Sequence, residues 1–262
     1  MTNRMSVVFV GHGSPMNAIE NNAYSRAWSA LGKSLQKPKA ILSISAHWFT
    51  RGTKVNDSQD PTLIYDMYGF PEELYQVRYP APGAPETAHR VKELLGDSIS
   101  VDNNWGIDHG SWSVLRRMFP AADVPLFQLS VNALLSPAEH YALGKKLKPL
   151  RDEGVLIFGS GNIVHNLSRV DWRMTAGQSW AQEFDQYILR AVQEHKPQDA
   201  IDYQFAGNSA QLAVPTMDHF APLLYILGAS DEADTVSVFN ADCIFGSLSM
   251  TSYLFGDHIW KP

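Results

Sequence analysis

Four histidines stand where the pattern of the chain changes: His12 in Gly11-His12-Gly13-Ser14-Pro15, His47 in Ser45-Ala46-His47-Trp48, His165 in Gly161-Asn162-Ile163-Val164-His165-Asn166, and His219 in Asp218-His219-Phe220. Each ends an apolar run or opens a helix-like pattern. Neutral imidazole is the commonest protein ligand for transition metals, and α/β proteins place their chemistry at strand ends. A metal site is therefore the first chemistry these residues suggest. The single cysteine, Cys243, rules out an intrachain disulfide and a thiolate cluster, so any ligands would be nitrogen and oxygen.

Taken singly, each histidine has an ordinary structural reading as well. The glycines around His12 let the backbone approach a bound group, but a tight strand-to-helix turn would look the same. His47, between an apolar strand and Trp48-Phe49, fits a buried histidine satisfied by its neighbours. His165 follows Gly159-Ser160-Gly161-Asn162, read either as a turn whose free N–H groups could hold an anion or oxyanion, or as a helix N-terminal turn. His219 could be a ligand or a helix-start residue bonded to the Asp218 carboxylate. A fifth histidine, His109, lies between Trp105 and Trp112, which could line an aromatic pocket or simply belong to the core. His89, His140, His195 and His258 fall in polar or helix-surface contexts and carry no expected role.

Competing motifs fail on particular residues. Gly11-x-Gly13 lacks the third glycine of a dinucleotide fingerprint and runs into Pro15-Met16. A nucleophile elbow would need glycine at Phe158 and Asn162, and a phosphate loop ending in Gly32-Lys33-Ser34 would need glycine at Ala27. With 21 basic and 27 acidic residues the net charge of −6 gives no general attraction to nucleic acid or anionic lipid. The run Val7–Val10 is too brief for a signal-peptide core or a membrane span, so a cytosolic protein is expected.

Short β-branched runs alternate with longer amphipathic stretches, the pattern of strands enclosed between helices. Strands are expected at Val7–Val10, Ala40–Ser45, Pro125–Val131, Val155–Gly159 and Val236–Phe239. Helices are expected at Tyr24–Leu35, Pro85–Leu95, Pro137–Leu150, Trp180–Glu194 and Asp218–Leu227, with proline in the first turn of three of them. The chain shows no linker or repeat, which predicts one α/β domain over residues 1–262 with a central mixed, largely parallel sheet flanked by helices on both faces. If the strands leading into His12, His47 and His165 are parallel, their carboxyl ends share one edge and the histidines converge there.

As an ordered set, these motifs, together with His219-Phe220-Ala221-Pro222-Leu223-Leu224-Tyr225 and Phe245-Gly246-Ser247-Leu248-Ser249-Met250, resemble the LigB-type class III extradiol ring-cleavage dioxygenases, and within them the 4,5-DOPA extradiol branch of bacteria and plants. The resemblance implies His12, His47 and His219 as metal ligands, His165 as a further ligand or acid–base, and His109 on the substrate side. The chain has Met217-Asp218 where that branch commonly has proline and then glutamate. The implied function is oxygen-dependent opening of a catechol such as DOPA, in aromatic compound metabolism, with one metal per chain and no nucleic-acid or membrane partner. His165 would move protons, His109 would orient the substrate, and Trp48, Trp112 and Tyr225 would supply aromatic walls. Ring cleavage usually needs ferrous iron on two histidines and a carboxylate, whereas an all-histidine set suits tetrahedral zinc and leaves no open position if all four bind. Zinc is thus expected in the isolated protein and iron for activity. The rival readings are a zinc hydrolase and a non-catalytic metal-binding protein of the same fold; the oligomeric state, a monomer included, stays open.

Overall fold

In a computed structural model, residues 4–257 and 259–261 are described; His258 lies outside them. The strands are β1 (Val7–Gly11), β2 (Ala40–Thr50), β3 (Thr53–Val55), β4 (Ile99–Val101), β5 (Leu126–Asn132), β6 (Val155–Gly161), β7 (Thr235–Phe239), β8 (Cys243–Ile244), β9 (Leu248–Ser249) and β10 (Ser252–Gly256). The helices are α1 (Ala23–Ser34), α2 (Glu72–Tyr75), α3 (Pro85–Leu95), α4 (His109–Met118), α5 (Pro137–Leu147), α6 (Ser179–Gln193), α7 (Pro197–Ile201), α8 (Asn208–Ala213) and α9 (Ala221–Ala229).

An eight-stranded sheet runs in the order β4-β3-β5-β2-β6-β1-β10-β7. Its four central strands, β5, β2, β6 and β1, are mutually parallel, so their carboxyl ends lie along one edge. The β10 strand runs antiparallel to β1 and β7, and β3 antiparallel to β5. The central strands read as continuous apolar runs because helices cover both faces. Alternate residues feed two cores: Val7, Phe9, Leu42, Ile44, Phe127 and Ile157 pack with α5, α6 and α9 on one face. Val8, Val10, Ile41, Leu126, Leu156 and Phe158 pack with α1 and α4 on the other.

The mixed, mostly parallel α/β architecture and the five expected strands are present. Differences fall beside the histidines. The β2 strand continues past Ser45 to Thr50, carrying His47 within it. Likewise β6 extends through Gly161, so Gly159-Ser160-Gly161 is paired with β1 and is not a turn with free amides. The Asn162 amide is used as well, donating to the His219 carbonyl at 3.0 Å. The last expected helix begins at Ala221, which leaves His219 in the turn before it. Helix α4 and strand β10 were not expected from the sequence.

His140 corrects a surface assignment. It lies on α5, fully buried, with its ring 5.2 Å from that of Tyr225 on α9 and no hydrogen-bond partner on either nitrogen. Burial pushes its pKa down from 6.5 to about 4. As pH falls below 6.5 the unfolded chain binds a proton that the folded chain refuses until about 4, so stability is complete above that window and is lost within it. At about pH 5 the loss is about 2 kcal/mol. His140→Leu should therefore shrink the fall in Tm between about pH 7 and about pH 5, measured by thermal unfolding. An undiminished fall in a folded variant would contradict this assignment.

Candidate metal centre

Five histidines reach one site from four different kinds of local structure. His12 follows β1; its amide donates to the Gly161 carbonyl at 3.0 Å, and its Nδ1 lies 2.9 Å from Ser160 Oγ on β6. The Ser160 hydroxyl donates to the Gly110 carbonyl, so it must accept from His12, which assigns the ring proton to Nδ1. His47 sits in a bulge of β2. Ser45 pairs with Ser130 and Phe49 with Val131, so Ala46, His47 and Trp48 have no opposite residues on β5. Bulges re-aim side chains, and here the His47 Nδ1 is turned to Asp66 Oδ2 at 2.9 Å.

His109 is the first residue of α4, whose N-terminus is capped by the buried Asp108. Asp108 is itself fixed by Ser45 Oγ at 2.7 Å and Gln128 Nε2 at 2.8 Å, which lock the helix start to β2 and β5. The His109 Nδ1 and backbone N–H both donate to Asp66 Oδ1, at 2.9 and 3.0 Å. His219 donates from Nδ1 to Asp218 Oδ2 at 2.8 Å, and its Nε2 is buried with no partner. Its carbonyl passes close over Gly161, where a Cβ would collide with it. His165, after β6, lies flat on His219 with ring centroids 3.4 Å apart and planes 5° apart.

His12, His47, His109 and His219 are therefore each anchored through Nδ1, leaving Nε2 as a lone-pair nitrogen. The Nε2 atoms of His12 and His47 face each other at 3.2 Å. Two lone pairs at that distance repel unless a cation lies between them, either a proton on His47 or a metal ion. Two nitrogens bound tetrahedrally at about 2.0–2.1 Å stand about 3.3–3.4 Å apart, so the spacing fits a shared metal. His12, His47 and His109 each offer a ligand nitrogen within 4.8 Å of one another, and the His219 ring lies 5.3 Å from that of His12 and 5.2 Å from that of His47. The orphaned Nε2 of His219 and the all-nitrogen donor set fit a borderline-soft divalent ion.

The electrostatics keep most of these rings neutral. Burial, reinforced by the other histidines, holds His12 well below the ordinary value and lowers His165 likewise. Burial also lowers His109 and His219, outweighing the attraction of Asp66 and Asp218 respectively. His47 differs: burial pushes it down, but the Asp66 hydrogen bond and the nearby carboxylates outweigh burial and raise it. Asp66 and Asp218 are disfavoured as anions by burial, yet their histidine partners hold both below the usual carboxylate range.

Of the expected site residues, the structure brings together His12, His47, His109, His165 and His219. It does not bring Trp112 or Tyr225 to them. Trp112 is buried in one core with its Nε1 donating to Ile64 O, and Tyr225 in the other, against His140. Trp48 stacks on Trp105 at 6.5 Å, and Trp105 donates to Asp108. Sequence reasoning missed Asp66 and Ser160. Asp66 lies on an irregular loop far from both partners in sequence, and no spacing marks it. Asp218 was noticed as a neighbour of His219, and it is that ring's anchor.

Residues 7–256 match the family described as the catalytic LigB subunit of aromatic ring-opening dioxygenase. The chain belongs to the LigB family. A 4,5-DOPA dioxygenase extradiol of Escherichia coli K12 is 43% identical over 97% of this chain and 95% of its own length. One from Beta vulgaris is 38% identical over 94% of this chain and 95% of its own. The fold agrees: the crystal structure of an uncharacterised Escherichia coli K12 protein superposes with a TM-score of 0.84 at 41% identity, covering 97% of this chain and all of that one. Among the described residues, no helix of this LigB-family chain is long and apolar enough to cross a membrane.

Removing a converging nitrogen should empty the centre. His12→Ala and His47→Ala are each expected to reduce zinc, measured by equilibrium dialysis and elemental analysis, from about one equivalent per chain to a small fraction. Unchanged zinc in both folded variants would contradict the assignment.

Proposed function

We propose that the protein is a metal-dependent extradiol dioxygenase that opens a catechol such as DOPA with dioxygen. The observation that carries this reading is a set of histidines, His12, His109 and His219 buried and His47 half-buried, anchored through Nδ1 with Nε2 turned inward. In this reading His12, His47 and His219 hold the ion. Ferrous iron, when bound, supplies a Lewis acid for the catechol oxygens and electrons for dioxygen, whereas zinc supplies only the Lewis acid.

The chain's own residues do the rest. His109 presents a lone pair at Nε2 and accepts the proton of a catechol hydroxyl, and Asp66 steadies the resulting imidazolium through its bond to Nδ1. Bonds made to the uncharged ring strengthen when it becomes charged, which is how a fixed carboxylate assists a base. His165 serves as the second acid–base. Its ring lies flat against that of His219, 3.4 Å away, so the two parallel rings would not both serve as ligands: His219 would hold the ion and His165 would hold or move a proton beside it. Burial of the cluster limits water, with His12 only 2% exposed, His109 5% and His219 6%.

Anaerobically iron-loaded protein should consume oxygen with DOPA and form a yellow ring-opened product, and zinc-loaded protein should not. Equal oxygen uptake with zinc, or none with iron and any catechol, would overturn the reading; hydrolysis of an ester or amide by the zinc form would favour a hydrolase. His165→Ala should retain the metal and lose roughly 10²–10⁴-fold in kcat, the usual size of an acid–base contribution. Loss of the metal in that variant would make His165 a ligand.

A further inference from the structure

Asp66 is a carboxylate that serves two imidazoles at once. Its Oδ2 accepts from His47 Nδ1 at 2.9 Å, and its Oδ1 accepts from both Nδ1 and the backbone N–H of His109, at 2.9 and 3.0 Å. The two rings it holds lie 3.9 Å apart. The loop that carries it is pinned on the other side, by the Leu63–Ile107 bridge and by Trp112 donating to Ile64. We propose that Asp66 is the positioning residue that sets the tautomer of His47 and His109 together, so that one side chain makes His47 a ligand and His109 a base. This rests on the reading of the cluster as a metal centre.

Around Asp66 stand three donors and no acceptor, and only a carboxylate offers acceptors on both sides. An asparagine offers one oxygen and one NH₂. If its oxygen faced His47, its NH₂ would meet two donors at His109. The favoured orientation therefore places the oxygen at His109 and the NH₂ at His47 Nδ1, which can then only accept. His47 would carry its proton on Nε2, aimed at His12 Nε2 and unable to bind metal.

Asp218 provides the contrast. It accepts from His219 Nδ1 on one oxygen and from the Thr216 hydroxyl on the other. A hydroxyl can turn and accept, so asparagine at 218 keeps the His219 tautomer. The substitutions D66N and D218N remove the same charge, but only the first removes an acceptor that cannot be replaced.

Asp66→Asn should lower zinc affinity by roughly 10–100-fold, the usual cost of losing an outer partner of a metal-binding histidine. Asp218→Asn should cost clearly less. Histidine ¹⁵N NMR of the metal-free D66N protein should show His47 as the Nε2–H form and His109 still as Nδ1–H, a change that mere loss of charge or packing would not produce. Equal losses in the two variants, or His47 unchanged in D66N, would overturn the proposal. Should D66N fail to fold, the zinc-loaded wild type decides: His109 as Nδ1–H is expected, and Nε2–H would overturn it. A wild type that binds no zinc would instead sink the metal-centre reading.

Discussion

An imidazole can ligate a metal through Nε2 only if Nδ1 keeps the proton, and the whole site is organised by that constraint. Ser160, Asp66 and Asp218 supply the acceptors that fix Nδ1–H in His12, His47, His109 and His219. Without them the rings could carry their protons inward and the cluster would be a self-satisfied network of histidines. With them, lone pairs converge in a nearly dry space, and the 3.2 Å approach of two acceptors calls for a cation.

The fold exists around this arrangement in a direct sense. Parallel β1 and β6 bring His12 beside Ser160, and the bulge in β2 lifts His47 out of the ladder toward Asp66. Helix α4 begins where Ser45, Gln128 and Ser111 fix Asp108, and so His109 enters the site at a set angle. The small Gly161 admits the His219 carbonyl to the end of β6. Apart from Ser111 on Asp108, these contacts join segments distant in sequence, and burial in two packed cores gives them the rigidity that ligand spacing demands.

The parallel strand ends and the histidines they present were legible in the sequence, because apolar runs ending in Gly-His or Ala-His mark where a buried strand meets chemistry. Helix α4 and the start of α9 were not. Helix α4 opens with His109, Gly110 and Ser111, weak helix formers that read as a turn, and only Arg116 and Arg117 of its ten residues escape full burial. Helix α9 is buried at every residue, which concealed its start and misplaced His219 inside it. The β10 strand carries serine and glycine at its ends and offered too short an apolar signal. His140 looked like a surface residue because its type outweighed its position on the inner face of α5. Asp66 was illegible for a different reason: a carboxylate on a loop acquires its role only from partners that the tertiary fold delivers.

Acid and metal compete for the same space between His12 and His47. The carboxylates that fix His47 also raise its proton affinity, so a proton and a metal ion are alternative occupants of one position. The central claim, that imidazole Nε2 atoms converge on a single ion, is tested most directly by X-ray absorption at the zinc edge of the zinc-loaded protein. The account predicts light-atom ligands at about 2.0–2.1 Å with the outer-shell scattering of at least three imidazoles. A sulfur shell, or a shell with fewer than three imidazoles, would contradict it.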